Sequence, residues 1–241
     1  MSEATTAGAS RPRSPGLIIA VVGAESTGKS TLAQGLAARL AADTGLSCTW
    51  VPEALREWCD AHGRTPALNE QQGIAELQAR RIETAAQAFD IVLADTTPLM
   101  TAVYHRQVFD DRSLDAMATA WQRRCALTLL TALDLPWVAD GLQRDGPHVR
   151  GPVDANLREL LLGAGLPFTV VSGLDEHRLE AAVDAVSSLV RYRRTPRAGL
   201  LTRLQQRDAA QPAWTWACDN CDVPDCEHAL FKPASTGLRL R

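Results

Sequence analysis

Six consecutive apolar residues, Leu17–Val22 (LIIAVV), make the short unbroken run expected of a strand buried on both faces of a parallel sheet. Past the next segment, Leu32, Leu36 and Leu40 return every four residues with Ala33 and Ala37 beside them, which predicts a helix with one apolar face. The two periods alternate along the rest of the chain. Strands are predicted at 47–51, at 91–94 ending on Asp95, and at 168–172; the run 126–133 fits either element by period, and the alternation favours a strand. Helices are predicted over a short segment carrying Arg56 and Trp58 and over 69–89, 98–108, 114–124, 153–162 and 176–192. This order implies an α/β fold, a three-layer, doubly wound parallel sheet.

Two stretches break the pattern. Residues 134–151 (DLPWVADGLQRDGPHVRG) hold three glycines and two prolines with no helical period, so they read as a long loop or lid, a kind of segment that tends to be functional. From Arg191 to Arg207 there are six arginines and no acid, followed by Trp214, Trp216 and a cluster of cysteines. A boundary near Thr195 therefore divides a domain at 17–194 from a basic, Cys/His-containing C-terminal extension at 195–241, with 1–16 as a flexible N-terminal tail.

Composition narrows the class. The chain of 241 residues is 46% hydrophobic and 22% charged, as expected of one generous globular domain plus an appendage. No apolar run approaches the ~18 to 20 residues of a membrane span, and the first residues lack a signal peptide's apolar stretch, so a cytoplasmic protein without a membrane span is expected. The net charge of −3 hides a basic C-terminal end, and the only lysines are Lys29 and Lys232. A chain that uses arginine nearly everywhere else keeps Lys29 where a compact ammonium is needed.

That lysine lies in Gly23-Ala24-Glu25-Ser26-Thr27-Gly28-Lys29-Ser30, directly after the first strand and before the first helix, with Thr31 next. The pattern G-x-x-x-x-G-K-[ST] wraps backbone N–H groups around a triphosphate and sets a helix N-terminus behind it. Lys29 then meets the β- and γ-phosphates of ATP, and the Ser30 hydroxyl takes one position on Mg²⁺.

Phosphoryl transfer also needs a carboxylate for the metal and a group to orient the nucleophile. Asp95, at the end of a buried strand, suits the first task; as a helix N-cap it would do neither. Glu53 stands at the end of the second strand, on the ligand side of an open α/β sheet, and suits the base; it is open between that and a first-turn acid facing a helix dipole. Arg144 and Arg150, in the lid, are candidates to place positive charge over the transferring group, although exposed arginines are ordinarily just solvated. Trp58 and Trp137 are open between stacking on a substrate ring and core packing.

Taken together, GAESTGKSTLAQGL, VPEALREW, IVLADTTP and LDLPWVADGLQRDGPHVR resemble the nicotinamide riboside kinase domain of the NadR type, a P-loop family also classed as an AAA-like ATPase domain. The likeness spans roughly Leu17 to Val190. It implies a P-loop nucleoside-kinase fold and transfer of phosphate from ATP, with Mg²⁺, to the 5′-hydroxyl of nicotinamide riboside, giving nicotinamide mononucleotide. By the same likeness, Gly23 to Thr31 bind the nucleotide, Glu53 and Arg56 belong to a substrate-side element, Asp95 is the acid after the third strand, and Arg144 is the lid arginine. Bifunctional members carry an H-x-G-H nucleotidyltransferase domain. No H-x-G-H occurs here, so neither adenylyl transfer nor the repressor function is expected.

The extension falls outside this likeness. Cys218-x2-Cys221-x4-Cys226-x-His228 reads as a structural zinc site of three thiolates and one imidazole, since the two-residue gap lets Cys218 and Cys221 reach one tetrahedral ion. Free thiols and a redox pair at Cys218 and Cys221 are the alternatives. Arginine runs are usually solvated faces, so they do not by themselves point to nucleic acid. The functional choice then lies between a small-molecule nucleoside kinase and a regulatory ATPase or GTPase switch whose tail contacts a partner.

Overall fold

The computed structural model describes residues 14–138 and 146–194. Residues 1–13 of the N-terminal tail, Arg144 and the whole extension, with Cys218, Cys221, Cys226, His228 and Lys232, lie outside the described residues. The chain divides into two compact units, Met1–Leu189 and Val190–Arg241, and the site lies in the first.

Five strands, β1 Leu17–Val22, β2 Cys48–Val51, β3 Ile91–Asp95, β4 Leu127–Thr131 and β5 Thr169–Val171, form one parallel sheet in the order β2-β3-β1-β4-β5. The helices are α1 Lys29–Thr44, α2 Ala54–His62, α3 Gln71–Ala88, α4 Pro98–Phe109, α5 Asp115–Gln122, α6 Arg150–Gly163 and α7 Asp175–Arg194. The ambiguous run at 126–133 is the strand β4, its neighbours being β1 and β5.

The central strands read as unbroken apolar runs because they are covered on both faces. Ala20 and Val22 face a core shared with Leu99, Met100, Leu130, Val153, Leu157 and Leu161, and Ile18 and Val92 face Ile82 and Ala86 of α3. On the other face lies α1, whose buried side chains are Leu32, Ala33, Leu36, Ala37 and Leu40 besides Lys29. Helix α7 runs beside α1, with Arg39 bonded to Glu180 at 2.7 Å. Among the described residues no helix is long and apolar enough to cross a membrane.

One expectation is corrected. Arg150 and Gly151 belong to α6, which starts three residues ahead of the predicted helix. Gly151 is one of the three glycines of the expected loop, yet it lies in the first turn of α6, and Pro152 is tolerated there because its missing N–H would have had no helical partner.

Strand order decides where the ligand side opens. β1 is central, and the order in which strands are added reverses about it, with β2 and β3 on one side and β4 and β5 on the other. Ligands bind at the carboxyl ends of strands beside such a reversal. Asp95 is level with Val21, and Leu130 is level with Val22, so Asp95, the phosphate loop and Thr131 emerge together.

Candidate active site

The loop between β1 and α1 adopts backbone conformations that its glycines make accessible. Gly23 has φ 151° and Gly28 φ 74°, where side chains are rarely found. A methyl group on Gly23 would lie 2.1 Å from Thr131 Oγ1. That oxygen lies 2.6 Å from Thr27 Oγ1 and 3.2 Å from the Val22 carbonyl oxygen. Thr27 in turn donates to Ala24 O at 2.8 Å. Thr131 is thus a buried brace under the loop that the sequence reading did not pick out. Gly23→Ala is expected to lower stability by roughly 2 to 4 kcal/mol through strain and overpacking, seen as a lower urea midpoint with unchanged slope.

Lys29 opens α1 and is only 8% exposed. Its ammonium donates to Ala24 O at 2.8 Å, within the loop. Burial pushes its pKa down, while Glu53, Asp95 and Glu25 push back and Arg56 adds to the fall. The Ser30 hydroxyl favours the ionised form of the Asp95 carboxylate. Asp95 caps no helix, since Thr97 precedes the first turn of α4. It is 2% exposed, its Oδ1 has no partner, and burial raises its pKa against the pull of Ser30, Lys29 and Arg56.

Glu53 occupies the N-cap position of α2 but makes no side-chain cap bond, so the first-turn role does not describe it. The Thr96 hydroxyl favours the ionised form of the Glu53 carboxylate. Burial raises its pKa, opposed by Lys29, while Asp95 reinforces the rise and Arg56 opposes it. Arg56, one turn along, holds Nε 3.8 Å from Glu53 Oε2. Lys29, Glu53, Asp95 and Arg56 therefore form one electrostatic cluster where β1, β2 and β3 end.

The segment after β4 lies against the loop. A methyl on Gly28 would come within 3.0 Å of Leu135 Cδ1. Ser26 Oγ donates to Val138 O at 2.7 Å and accepts from Val138 N at 3.2 Å. Arg150 donates Nη1 to Leu135 O at 2.9 Å, and its Nε and Nη2 are buried with no partner. Arg150 thus brings two spare cationic donors to the segment that touches the phosphate loop. Trp137, in that segment, keeps its indole Nε1 buried and without a partner, as a ring that only filled space would not need to.

Trp58 is different. It lies two residues past Arg56, about 200° around the helix, stacks on His62 with centroids 3.9 Å apart and is covered by Arg64 at 4.8 Å. The structure does not bring it to the charged cluster. Besides Thr131, two site residues carry no motif in the sequence that marks them. Gln78 accepts from Ala54 N at 2.7 Å and donates to Thr96 O at 3.2 Å. Thr96 itself has φ 66°, a strained setting for a β-branched residue.

Charge and geometry suit a polyphosphate on the loop with a divalent cation beside Ser30 and Asp95. The orphaned Asp95 Oδ1 and the hydroxyl next to it are hard oxygen donors of the kind such an ion takes. Among the described residues there is no group of three or more His, Cys, Asp and Glu placed to hold a metal.

Comparison with known proteins accords with this geometry. A family model described as an AAA domain matches residues 18–178. No curated protein matches the chain. Among solved structures, a NadR protein in complex with NR has a TM-score of 0.54 and 20% sequence identity, covering 72% of this chain and 50% of that chain. A NadR protein in complex with NAD and AMP-PNP has a TM-score of 0.54 and 18% identity, covering 71% and 50%. The chain spans about half the length of these neighbours, and the likeness is one of fold.

Proposed function

The chain belongs to the AAA-domain family, and from that premise we propose that it is an ATP-dependent small-molecule kinase that phosphorylates the 5′-hydroxyl of nicotinamide riboside, giving nicotinamide mononucleotide and ADP. The observation that carries this reading is the grouping of two carboxylates, Glu53 and Asp95, around Lys29 at the phosphate loop. Beyond the acid that holds the metal, a second acid can receive a proton from an attacking hydroxyl, and the acceptor panel distinguishes a nucleoside hydroxyl from water.

The backbone N–H groups of 24–30 and Lys29 hold the β- and γ-phosphates, as the loop pattern requires. Ser30 and Asp95 would hold Mg²⁺, which supplies charge neutralisation on the transferring group when bound. Glu53 takes the proton of the acceptor hydroxyl as its oxygen bonds to the γ-phosphorus. The bond from that phosphorus to the β–γ bridging oxygen breaks, and its electron pair leaves with ADP. Arg150, with two unused donors, meets charge on the phosphoryl group, joined by Arg144 of the lid. Arg56, beside Glu53, orients the acceptor end, and the Trp137 indole packs against the acceptor ring.

Nicotinamide riboside is favoured as acceptor by the E-x-x-R-E-W and P-W-V-A-D-G-L segments of the sequence and by a NadR fold neighbour that holds NR. The test is product analysis with ATP and Mg²⁺ over a panel of nicotinamide riboside, adenosine, cytidine and deoxyadenosine. Nicotinamide mononucleotide is expected at a rate at least about tenfold above any other product, a margin of about 1.4 kcal/mol that ordinary pocket selectivity supplies. Faster phosphorylation of another nucleoside would reassign the acceptor, and ATP turnover that no nucleoside stimulates would reassign the class.

A further inference from the structure

We propose that Gln78 is a positioning residue for phosphoryl transfer, its amide tying the strand end that bears Glu53 to the strand end that bears Asp95. The proposal rests on the kinase reading for its rate effect, but not for its structural effect.

The apolar stripe of α3 runs through Ile74, Ala75, Ile82 and Ala86, and Gln78 stands within it at 2% exposure. Packing alone would place an aliphatic side chain there, because a buried amide is costly unless its polar atoms are bonded. Both of them are. The Oε1 atom accepts from Ala54 N and Nε2 donates to Thr96 O, so the partners themselves fix the amide's orientation. These two backbone groups belong to the residues that directly follow Glu53 and Asp95.

The place of these bonds matters as much as their number. Pairing between β2 and β3 runs from Cys48↔Ile91 to Val51↔Ala94 and ends before either acid's successor. β2 is an edge strand of four residues, so beyond Val51 no ladder bond holds its end to β3. Gln78 supplies the next link. It does so once through Ala54 N, one of the N–H groups that the first turn of α2 leaves free, and once through Thr96. Thr96 is held at φ 66°, and its hydroxyl favours the ionised form of the Glu53 carboxylate. Gln78 thus ties Ala54, next to Glu53, to Thr96, next to Asp95. Loss of that tie lets Thr96 relax to ordinary backbone angles and move its hydroxyl away from the carboxylate.

The test uses the full chain with Gln78→Met, a close match in length without the amide, and Gln78→Asn, whose amide is too short to span both partners. Ile82→Val, on the same stripe, controls for packing. Turnover is expected to fall by roughly 10- to 100-fold in the Gln78 variants, as misplacement of a reacting group by about 1 Å would do, with the KM for MgATP within about twofold. Independently of turnover, the Glu53 carboxyl followed by ¹³C NMR should titrate at higher pH in both variants. It would have lost the nearby Thr96 hydroxyl, which favours its ionised form. Ile82→Val should leave turnover and titration in place. A folded Gln78 variant with wild-type turnover and an unmoved Glu53 titration overturns the proposal. So does a loss no larger than in Ile82→Val, or outright unfolding of both variants, which would make Gln78 merely structural. If the wild type phosphorylates no nucleoside, the kinase reading fails, and the titration alone decides whether Gln78 sets Glu53.

Discussion

Lys29→Ala is expected to lower turnover by at least about 10³-fold, about 4 kcal/mol of transition-state stabilisation, while the unfolding midpoint stays within about 5 °C of wild type. Both halves come from the environment of the ammonium. Lys29 donates to Ala24 O inside the loop and packs against no apolar cluster of the sheet, so the fold does not depend on it. Burial depresses its pKa in spite of three acids nearby. The folded chain therefore holds that proton less tightly than the open chain, and below the ordinary lysine pKa the charged form is a burden on stability that the alanine variant does not carry. What the lysine supplies is charge at the transferring phosphoryl. Steady-state kinetics and a thermal melt check the pair of outcomes; unchanged turnover would remove the loop from the chemistry.

The second large effect is expected at the carboxylates. Glu53→Gln should cut turnover by roughly 10²- to 10⁴-fold through loss of the base, with ATP binding retained. Asp95→Asn should weaken the dependence on Mg²⁺ as well as the rate, since the orphaned Oδ1 and the Ser30 hydroxyl lie where the cation would be held. The pH profile carries the sign. Burial holds the Glu53 proton above the usual carboxylate range, and a base must be ionised to act. Wild-type turnover should therefore rise with pH through that raised value, not through the ordinary range of a free glutamate. In Glu53→Gln the limb should vanish from the residual rate. A limb that survives in the variant would assign the proton transfer elsewhere.

The parts legible in the sequence are those where one local signal decides the matter. The run LIIAVV, the loop after it and the four-residue repeat of Leu32, Leu36 and Leu40 each carry their own period, and β1 and α1 lie where that period puts them. Asp95 and Glu53 were legible because strand ends on one side of a parallel sheet point to a common place. The start of α6 was not, since Gly151 speaks for a loop by composition and for a first turn only once Arg150 is seen anchored to Leu135. Trp58 misled for a related reason. Its type suits a substrate ring, but helical phase turns it away from Arg56 toward His62 and Arg64. Gln78 left a faint trace, an amide within an apolar stripe, whose meaning depends on backbone groups 24 and 18 residues away. Thr96 left none, because its left-handed backbone follows from tertiary bonds and threonine has no propensity for it.

The account's central claim is transfer of the γ-phosphoryl to a nucleoside hydroxyl rather than to water. The most direct measurement is the product balance of the wild-type chain with MgATP, with and without nicotinamide riboside, reading ADP, inorganic phosphate and nicotinamide mononucleotide together. The account predicts one nicotinamide mononucleotide for each ADP, little inorganic phosphate, and slow ADP formation without the nucleoside. ADP matched by inorganic phosphate at the same rate with and without nucleoside would contradict it and identify a nucleotide-hydrolysing switch.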